Sequence, residues 1–294
     1  MDLRILDRLR CPVCGEPLAE ATAGTTSALR CPRRHSFDIA RQGYVNLLAG
    51  RAPHVGDSAE MVAARAGFLA AGHYDLISAA LRDAATEAVG RLRATPTPTP
   101  DVGAYPLVVD AGAGTGRYLG AVLAALPDAV GLALDVSKPA LRRAARAHPR
   151  AAAALADTWQ RLPLADASTA VLLNVFAPRN GPEFHRVLDP AGTLLVVTPD
   201  TDHLAELVDA LDLLRVDPDK ADRVAGSLGG HFTPVSSVVH RAELALTQAE
   251  VATLVGMGPS AWHTDPGALA ARLAALPEPV RVTVAVRLDV LRPR

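Results

Sequence analysis

From Leu107 onward the chain alternates short, continuously apolar runs with stretches of helical period. The apolar runs fall at Leu107–Val109, Ala129–Asp135, Ala151–Asp157, Ala170–Phe176 and Thr193–Thr198. Helical patterns lie near Arg117–Leu126, Lys138–Ala147, Pro182–Leu188 and Asp202–Arg215. Strands that are apolar on both sides and separated by helices predict a mostly parallel sheet covered on both faces. The tail changes character. Ser236–Leu246 and Val280–Leu291 predict two longer strands, the second alternating through Val282, Val284, Val286 and Leu288, with helices at Gln248–Val255 and Pro266–Leu276. Such a pair suits antiparallel strands closing one edge of the sheet.

Upstream of Leu107 the pattern is helical and then loop-rich. Asp57 as N-cap with Glu60 three residues on predicts a helix through Met61, Arg65, Phe68 and Leu69, interrupted at Gly72. A second helix follows from Tyr74 to Leu92. Ala94–Pro100 alternates Thr and Pro with no core-forming residue, which predicts an exposed, stiff, extended connection. The chain thus divides into residues 1–50, a helical connector at 51–93 that contributes to the cofactor pocket, a Pro/Thr linker at 94–106 and an α/β domain at 107–294.

With 294 residues, 49% of them apolar, the chain can bury a large domain and a small one. Thirty Lys and Arg against 31 Asp and Glu give a net charge of −1, which excludes a protein that coats nucleic acid by bulk charge. Contact with RNA would have to come from a local patch. No apolar run reaches the roughly 18 residues of a membrane span, and the first residues lack the pattern of a secretory signal. The expectation is a cytoplasmic protein. All three cysteines fall in the first 31 residues, which favours metal ligation in a reducing compartment over disulfides.

Cys11-Pro-Val-Cys14, sixteen residues, then Cys31-Pro-Arg-Arg-His35 supplies three sulfurs and one imidazole as two closely spaced pairs. That is the donor set of tetrahedral zinc. Four protein ligands leave no open position, so the zinc is expected to be structural. Around it lie Arg30, Arg33, Arg34, Arg41 and Arg51 against Asp38, with Phe37 and Tyr44 interleaved. This segment suits either an RNA-facing surface, with the aromatics available for stacking, or a solvated face with Phe37 packed inside.

Val108-Val-Asp110-Ala-Gly112-Ala-Gly114-Thr115-Gly116 follows the first strand and opens a helix. The spacing is Gly-x-Gly-x-Gly, unlike the Gly-x-Gly-x-x-Gly of a dinucleotide fold, which disfavours an NAD-dependent oxidoreductase. Asp110 is positioned for the methionine portion of S-adenosylmethionine. Asp135, ending the second strand, is positioned for both ribose hydroxyls or, alternatively, as a cap for the next helix, and Asp157, ending the third, for the adenine amino group. Together they resemble the Rossmann-like S-adenosylmethionine-dependent methyltransferases. The fourth strand runs into Asn174-Val-Phe176-Ala-Pro-Arg-Asn180, where the transferred methyl should sit. It lacks the Asp/Asn-Pro-Pro-aromatic motif of many methyltransferases that act on exocyclic amines, which weakens an adenine-N6 target. Asn174 and Phe176 are the nearest candidates to methyl transfer. Trp262 is a further stacking candidate, and no general base is assigned.

These pieces together resemble one family, the bacterial 23S ribosomal RNA guanine-N1 methyltransferases. The zinc module, the segment Phe37-Asp38…Gly43-Tyr44-Val45-Asn46-Leu47-Leu48 and Ala71-Gly72-His73-Tyr74 carry the resemblance. Asn174–Asn180, Asp202–Leu207 and Met257-Gly-Pro-Ser260 bring it closer to the Gram-positive branch that contains the tylosin-resistance methyltransferase. The resemblance implies methylation of a guanine in a hairpin lining the peptide exit tunnel, bearing on macrolide resistance, with 23S rRNA as partner and neither DNA nor a membrane. It also implies that Tyr74, the Gly114–Gly116 loop and His203 contact S-adenosylmethionine. Without the resemblance, Tyr74 would be a core residue at a helix start and His203 a surface residue near a helix N-terminus. Two other readings stand beside it: a small-molecule methyltransferase with a structural zinc module, and a non-enzymatic zinc-ribbon regulator. The latter leaves the glycine loop and the three acids unexplained. Homodimerisation, with one subunit's zinc module holding RNA beside the other's pocket, is left open.

Overall fold

The computed structural model describes residues 2–23, 26–50, 56–95, 100–213, 226–258 and 266–294. At the N-terminus a short helix α1 (Leu3–Leu6) precedes a three-stranded antiparallel sheet of β1 (Ala19–Ala23), β2 (Thr26–Arg30) and β3 (Ser36–Asp38), in that order. The next strand, β4 (Tyr44–Asn46), leaves this small sheet for the large one. Two helices follow, α2 (Ala59–Ala70) and α3 (Asp75–Ala94), then a short helix α4 (Pro100–Ala104).

The large sheet contains β5 (Leu107–Ala111), β6 (Val130–Asp135), β7 (Ala151–Leu155), β8 (Thr169–Val175), β9 (Leu188–Pro199), β10 (Phe232–Leu246) and β11 (Val280–Pro293). Its eight strands run β10-β11-β9-β8-β5-β6-β7-β4. From β4 to β9 every pairing is parallel; β11 pairs antiparallel with β9 and with β10. This is the mostly parallel sheet with an antiparallel edge pair expected from the apolar pattern. Around it lie α5 (Arg117–Ala125), α6 (Lys138–Ala144), α7 (Gly181–Val187), α8 (Ala205–Leu211), α9 (Gln248–Gly256) and α10 (Pro266–Ala274).

The alternation of side chains along each strand splits the apolar residues between two cores. Val108, Ala133, Ala153, Leu173 and Val197 face one core with α3, whose Ile77, Leu81, Ala85, Ala88 and Leu92 recur on one helical stripe. Leu107, Val109, Leu132, Leu134 and Val196 face the other, which is completed by Phe184 and Val187 of α7 and by Ile5, Leu6, Leu9, Leu29, Val45 and Leu47 of the N-terminal segment. The connection from β7 to β8 carries no helix, and Leu9 bridges to Leu164 within it while the Arg10 N–H donates to the Pro163 carbonyl (3.0 Å). The zinc-ligand segment therefore covers part of the sheet face that a crossover helix would otherwise cover.

Several local expectations change. Helix α2 is capped by Ser58, whose Oγ accepts the Met61 N–H (3.2 Å), and not by Asp57, whose carboxylate pairs with Arg65 across two helical turns. The 94–106 stretch is not an extended spacer throughout. Pro100–Ala104 is helical and places Val102, fully buried, in the first core; residues 96–99 lie outside the described ones. β7 stops at Leu155, so Asp157 lies two residues past its strand. The helix expected at Asp202–Arg215 is confined to Ala205–Leu211 within the described residues. Tyr44 is buried in the first core and Phe37, half-buried, packs against the second, so both aromatics of the N-terminal segment contribute packing. Arg51, Pro259, Ser260 and Trp262 lie outside the described residues.

Because Leu9 is fully buried in a core shared by the N-terminal segment and the large sheet, Leu9→Ala is expected to cost about 3 kcal/mol. Thermal melting should shift as one transition affecting both parts. Two separated transitions, with the later one unmoved, would show that the segment is an independent appendage.

Candidate cofactor pocket and metal centre

The four expected zinc ligands converge. One ligand atom from each of Cys11, Cys14, Cys31 and His35 lies within 4.8 Å of all the others. Cys14 Sγ is 3.7 Å from Cys31 Sγ, and His35 Nδ1 is 3.5 Å from Cys11 Sγ and 3.4 Å from Cys31 Sγ. Bonds of about 2.0–2.3 Å to a tetrahedral ion predict ligand–ligand edges of about 3.3–3.8 Å, so the donors fit zinc in both chemistry and spacing. Two tight turns set this spacing. The Gly15 N–H donates to the Cys11 carbonyl (2.8 Å) and the Arg34 N–H to the Cys31 carbonyl (2.9 Å), with Arg34 in the left-handed region at φ 66°. Of the basic residues around this centre, Arg33 lies 3.7 Å from Glu16, while Arg30, Arg34 and Arg41 are exposed.

The second site lies at the C-terminal edge of the parallel strands, where the strand order turns on either side of β5. Gly112, at φ 85°, carries the chain off β5 into the loop before α5. A Cβ there would lie 2.4 Å from Ala177 Cβ, so only glycine lets this loop pass the one after β8. Asn174 fastens the two loops together: its side-chain amide donates to the carbonyls of Ala111 (3.1 Å) and Pro178 (2.8 Å). With both N–H groups spent on backbone, Asn174 retains only its buried Oδ1 as an unpartnered group.

Three acids border the loop in different states. Asp110 is buried with neither carboxylate oxygen hydrogen-bonded, and burial, reinforced by the Asp135 charge, pushes it up to about 7. Asp135 accepts the Gly114 N–H (2.8 Å) on one oxygen and the Ser137 N–H (2.7 Å) on the other. Burial raises its pKa while these two N–H groups oppose the rise. Asp157 is buried and accepts the Trp159 N–H (3.0 Å). Thr115 lines a groove between α2, α5 and α6, and Gly116 forms the N-cap of α5.

Tyr74, His203 and Phe176 come from three distant segments and meet above this edge. Their ring centroids are 6.1–6.3 Å apart. His203 is buried, not a surface residue, and its tautomer is determined. The Ala285 N–H donates to Nδ1 (3.2 Å), so Nε2 carries the proton and donates to Tyr74 Oη (3.3 Å). Burial holds the Tyr74 phenol well above its usual pKa, so it stays protonated and its own O–H remains a donor. Phe176 is 42% exposed and sits at φ 52°, presenting an apolar ring at the mouth.

One neighbour of the pocket escapes sequence reading. Arg65 of α2 lies over the glycine loop, its Nη1 3.6 Å from where a Gly114 Cβ would be. It is held by the Asp57 carboxylate and by the Met257 carbonyl (2.7 Å). In the sequence it is one polar position on an amphipathic helix. The signal that marks it, contact with a loop about fifty residues away, exists only in three dimensions.

Comparison with known proteins adds to this geometry. Residues 9–52 match the zinc-ribbon family described as RlmA, N-terminal. The chain is 50% identical over 293 residues to the Streptomyces fradiae 23S rRNA (guanine(748)-N(1))-methyltransferase, covering 100% of this chain and 99% of that one. It is 70% identical over 290 residues to a Micromonospora griseorubida protein with the provisional name 23S rRNA (guanine-N(1)-)-methyltransferase, covering 98% of each. Among solved structures, a Geobacter sulfurreducens SAM-dependent methyltransferase in complex with S-adenosyl-L-homocysteine overlays at TM-score 0.41 with 18% identity, covering 72% of this chain and 91% of that one.

Asp110 gives the pocket a distinctive pH response. Its pKa is raised on folding from 3.8 to about 7, so ionising it costs native stability as pH climbs from the ordinary carboxylate range through 7. Asp110→Asn removes that cost. Without cofactor, the variant's stability relative to wild type should be higher at pH 8 than at pH 5, by on the order of a few kcal/mol, with a matching gain in melting temperature. A difference that is the same at both pH values would show that Asp110 is not the group responsible.

Proposed function

From the premise that this chain belongs to the 23S rRNA (guanine-N1)-methyltransferases, we propose that it methylates N1 of guanine 748, the position in the Streptomyces fradiae relative's name, in a hairpin lining the peptide exit tunnel, and thereby confers tylosin-type macrolide resistance. The carrying observation is identity of one half to that relative over the whole chain, joined to a strand edge whose carboxylate acceptors suit S-adenosylmethionine. Zinc, held by Cys11, Cys14, Cys31 and His35, is structural, since four protein ligands complete a tetrahedron.

In this reading Asp110, buried and unpartnered, faces the cationic amino-acid end of the cofactor, and Asp135 and Asp157 face its ribose and adenine. Gly112, Gly114 and Gly116 let the backbone approach closely. When bound, S-adenosylmethionine supplies an electrophilic methyl group on a sulfonium, so the protein's task is alignment more than activation. Tyr74 offers its O–H towards the pocket because His203 already donates to its oxygen. Phe176 stacks on the target guanine once that base is unstacked from its hairpin. Asn174 acts by holding the two loops in register. The N1 proton must leave as the methyl arrives. His203 does not take it, since Nδ1 is engaged by the Ala285 N–H and Nε2 is already protonated.

The test is transfer of labelled methyl from S-adenosylmethionine to unmodified 23S RNA, with the product mapped by reverse transcription. A methyl on N1 blocks Watson–Crick pairing, so a stop beside guanine 748 is expected, and expression in a susceptible host should raise tylosin tolerance. Label at another nucleotide would overturn the assigned position. No label in naked or ribosomal RNA, from protein that binds the cofactor, would turn the assignment to a small-molecule substrate.

A further inference from the structure

Between residues 136 and 156 the chain holds five Lys and Arg and no Asp or Glu, within a protein of net charge −1. Arg150 is used internally, donating to the carbonyls of Leu126 (2.7 Å), Ala129 and Leu123 at the end of α5. The other four are Lys138, Arg142 and Arg143 on α6 and Arg146 on the turn that continues it. All four are exposed, and none has an ion pair or side-chain hydrogen bond among the described residues. Arginines on neighbouring elements behave differently: Arg65, Arg82, Arg91, Arg93 and Arg117 each pair with a carboxylate.

Position and shape narrow what such a surface suits. Lys138, Arg142 and Arg146 recur every fourth residue, so they lie along one side with a rise of about 6 Å per step, on the scale of successive phosphates in a strand. At one end, a Cβ on Gly43 would lie 3.5 Å from Ala145 Cβ, which sets the β3–β4 turn and its exposed Arg41 against the strip. On the other side, Arg143 and His148 border a groove of about 550 Å³ floored by Ala66, Ala70, Ala121 and Ala147, with no acidic residue in its wall. Burial, with the Arg150 charge, holds His148 below its usual pKa, so it borders the groove as a neutral imidazole. Small side chains let a backbone approach closely. The exposed positions of this segment include no large apolar residue, which is unlike a helix that lies in a lipid interface.

We propose that Lys138, Arg142, Arg143 and Arg146, continuous with Arg41, form an RNA-contact strip outside the cofactor edge that grips phosphates of the duplex arm beside the target nucleotide. The inference rests on RNA being the substrate. The strip fixes register and orientation and leaves choice of base to the pocket.

The test is binding of a labelled 23S hairpin fragment across a salt series by wild type and by the triple variant Lys138→Gln, Arg142→Gln, Arg146→Gln. Loss of three phosphate contacts should make the slope of log affinity against log salt shallower by about 2–3, with affinity at least about tenfold weaker in low salt. S-adenosylhomocysteine binding and the melting temperature should stay at wild-type values, which separates loss of the strip from loss of the fold. The double variant Arg82→Gln, Arg91→Gln removes charge from α3 and should keep the wild-type slope. A triple variant with wild-type slope and affinity, or a control that loses as much, overturns the strip. Wild type that binds no RNA at any salt overturns the substrate reading and the strip with it.

Discussion

A parallel sheet cannot leave a face to water, because its strands are apolar on both sides. The rest of this structure follows from how that constraint is met. On one face α3 and its neighbours supply the cover in the usual manner. On the other, the β7–β8 connection has no helix, and the N-terminal segment fills the space with Ile5, Leu6, Leu9, Val45 and Leu47. A segment too small to bury a core of its own becomes part of a larger one, and zinc fixes the turns that present those side chains. The metal centre and the large sheet are thus coupled through packing, since Cys11 and Cys31 share a core with residues of β5 and β6.

The same sheet explains why the pocket lies where it does. Parallel strands discharge all their connections at one edge, so residues far apart in sequence meet there. Tyr74 arrives from the α2–α3 turn, Phe176 from the end of β8 and His203 from the loop after β9. A backbone N–H, that of Ala285 on the antiparallel strand β11, sets the His203 tautomer. The inserted antiparallel strand therefore closes the sheet and also orients the polar side of the pocket.

Much of this was legible in the sequence, and the reasons differ from place to place. The zinc ligands are close in sequence in pairs, so spacing alone carried their geometry. Strands β5, β6 and β8 are short apolar runs with no competing periodicity. Asp110, Asp135 and the glycine loop sit at fixed offsets from strand ends, which local pattern captures. What local pattern could not carry is partnership over distance. Asp57 has the composition of an N-cap, yet Ser58 takes that place and Asp57 turns to Arg65. Asn174 sits where a substrate contact would be expected, yet both its N–H groups hold backbone. Pro100–Ala104 has the composition of a spacer, but one fully buried valine, Val102, folds it into the core.

Charge ties these observations together. The strand edge is acidic, with Asp110 and Asp157 buried and Asp135 half-buried, while the cations of α6 and of the β3–β4 turn, which have no ion pair among the described residues, lie outside it. A cationic methyl donor and a polyanionic acceptor have to be held by one protein without either occupying the other's place. Separation of the two charge fields suits this: a carboxylate-lined edge favours a cation and disfavours phosphate, and a strip of exposed Lys and Arg does the reverse. A net charge of −1 sums 30 cations and 31 anions over the whole chain, which is why bulk composition gives no sign of either local field.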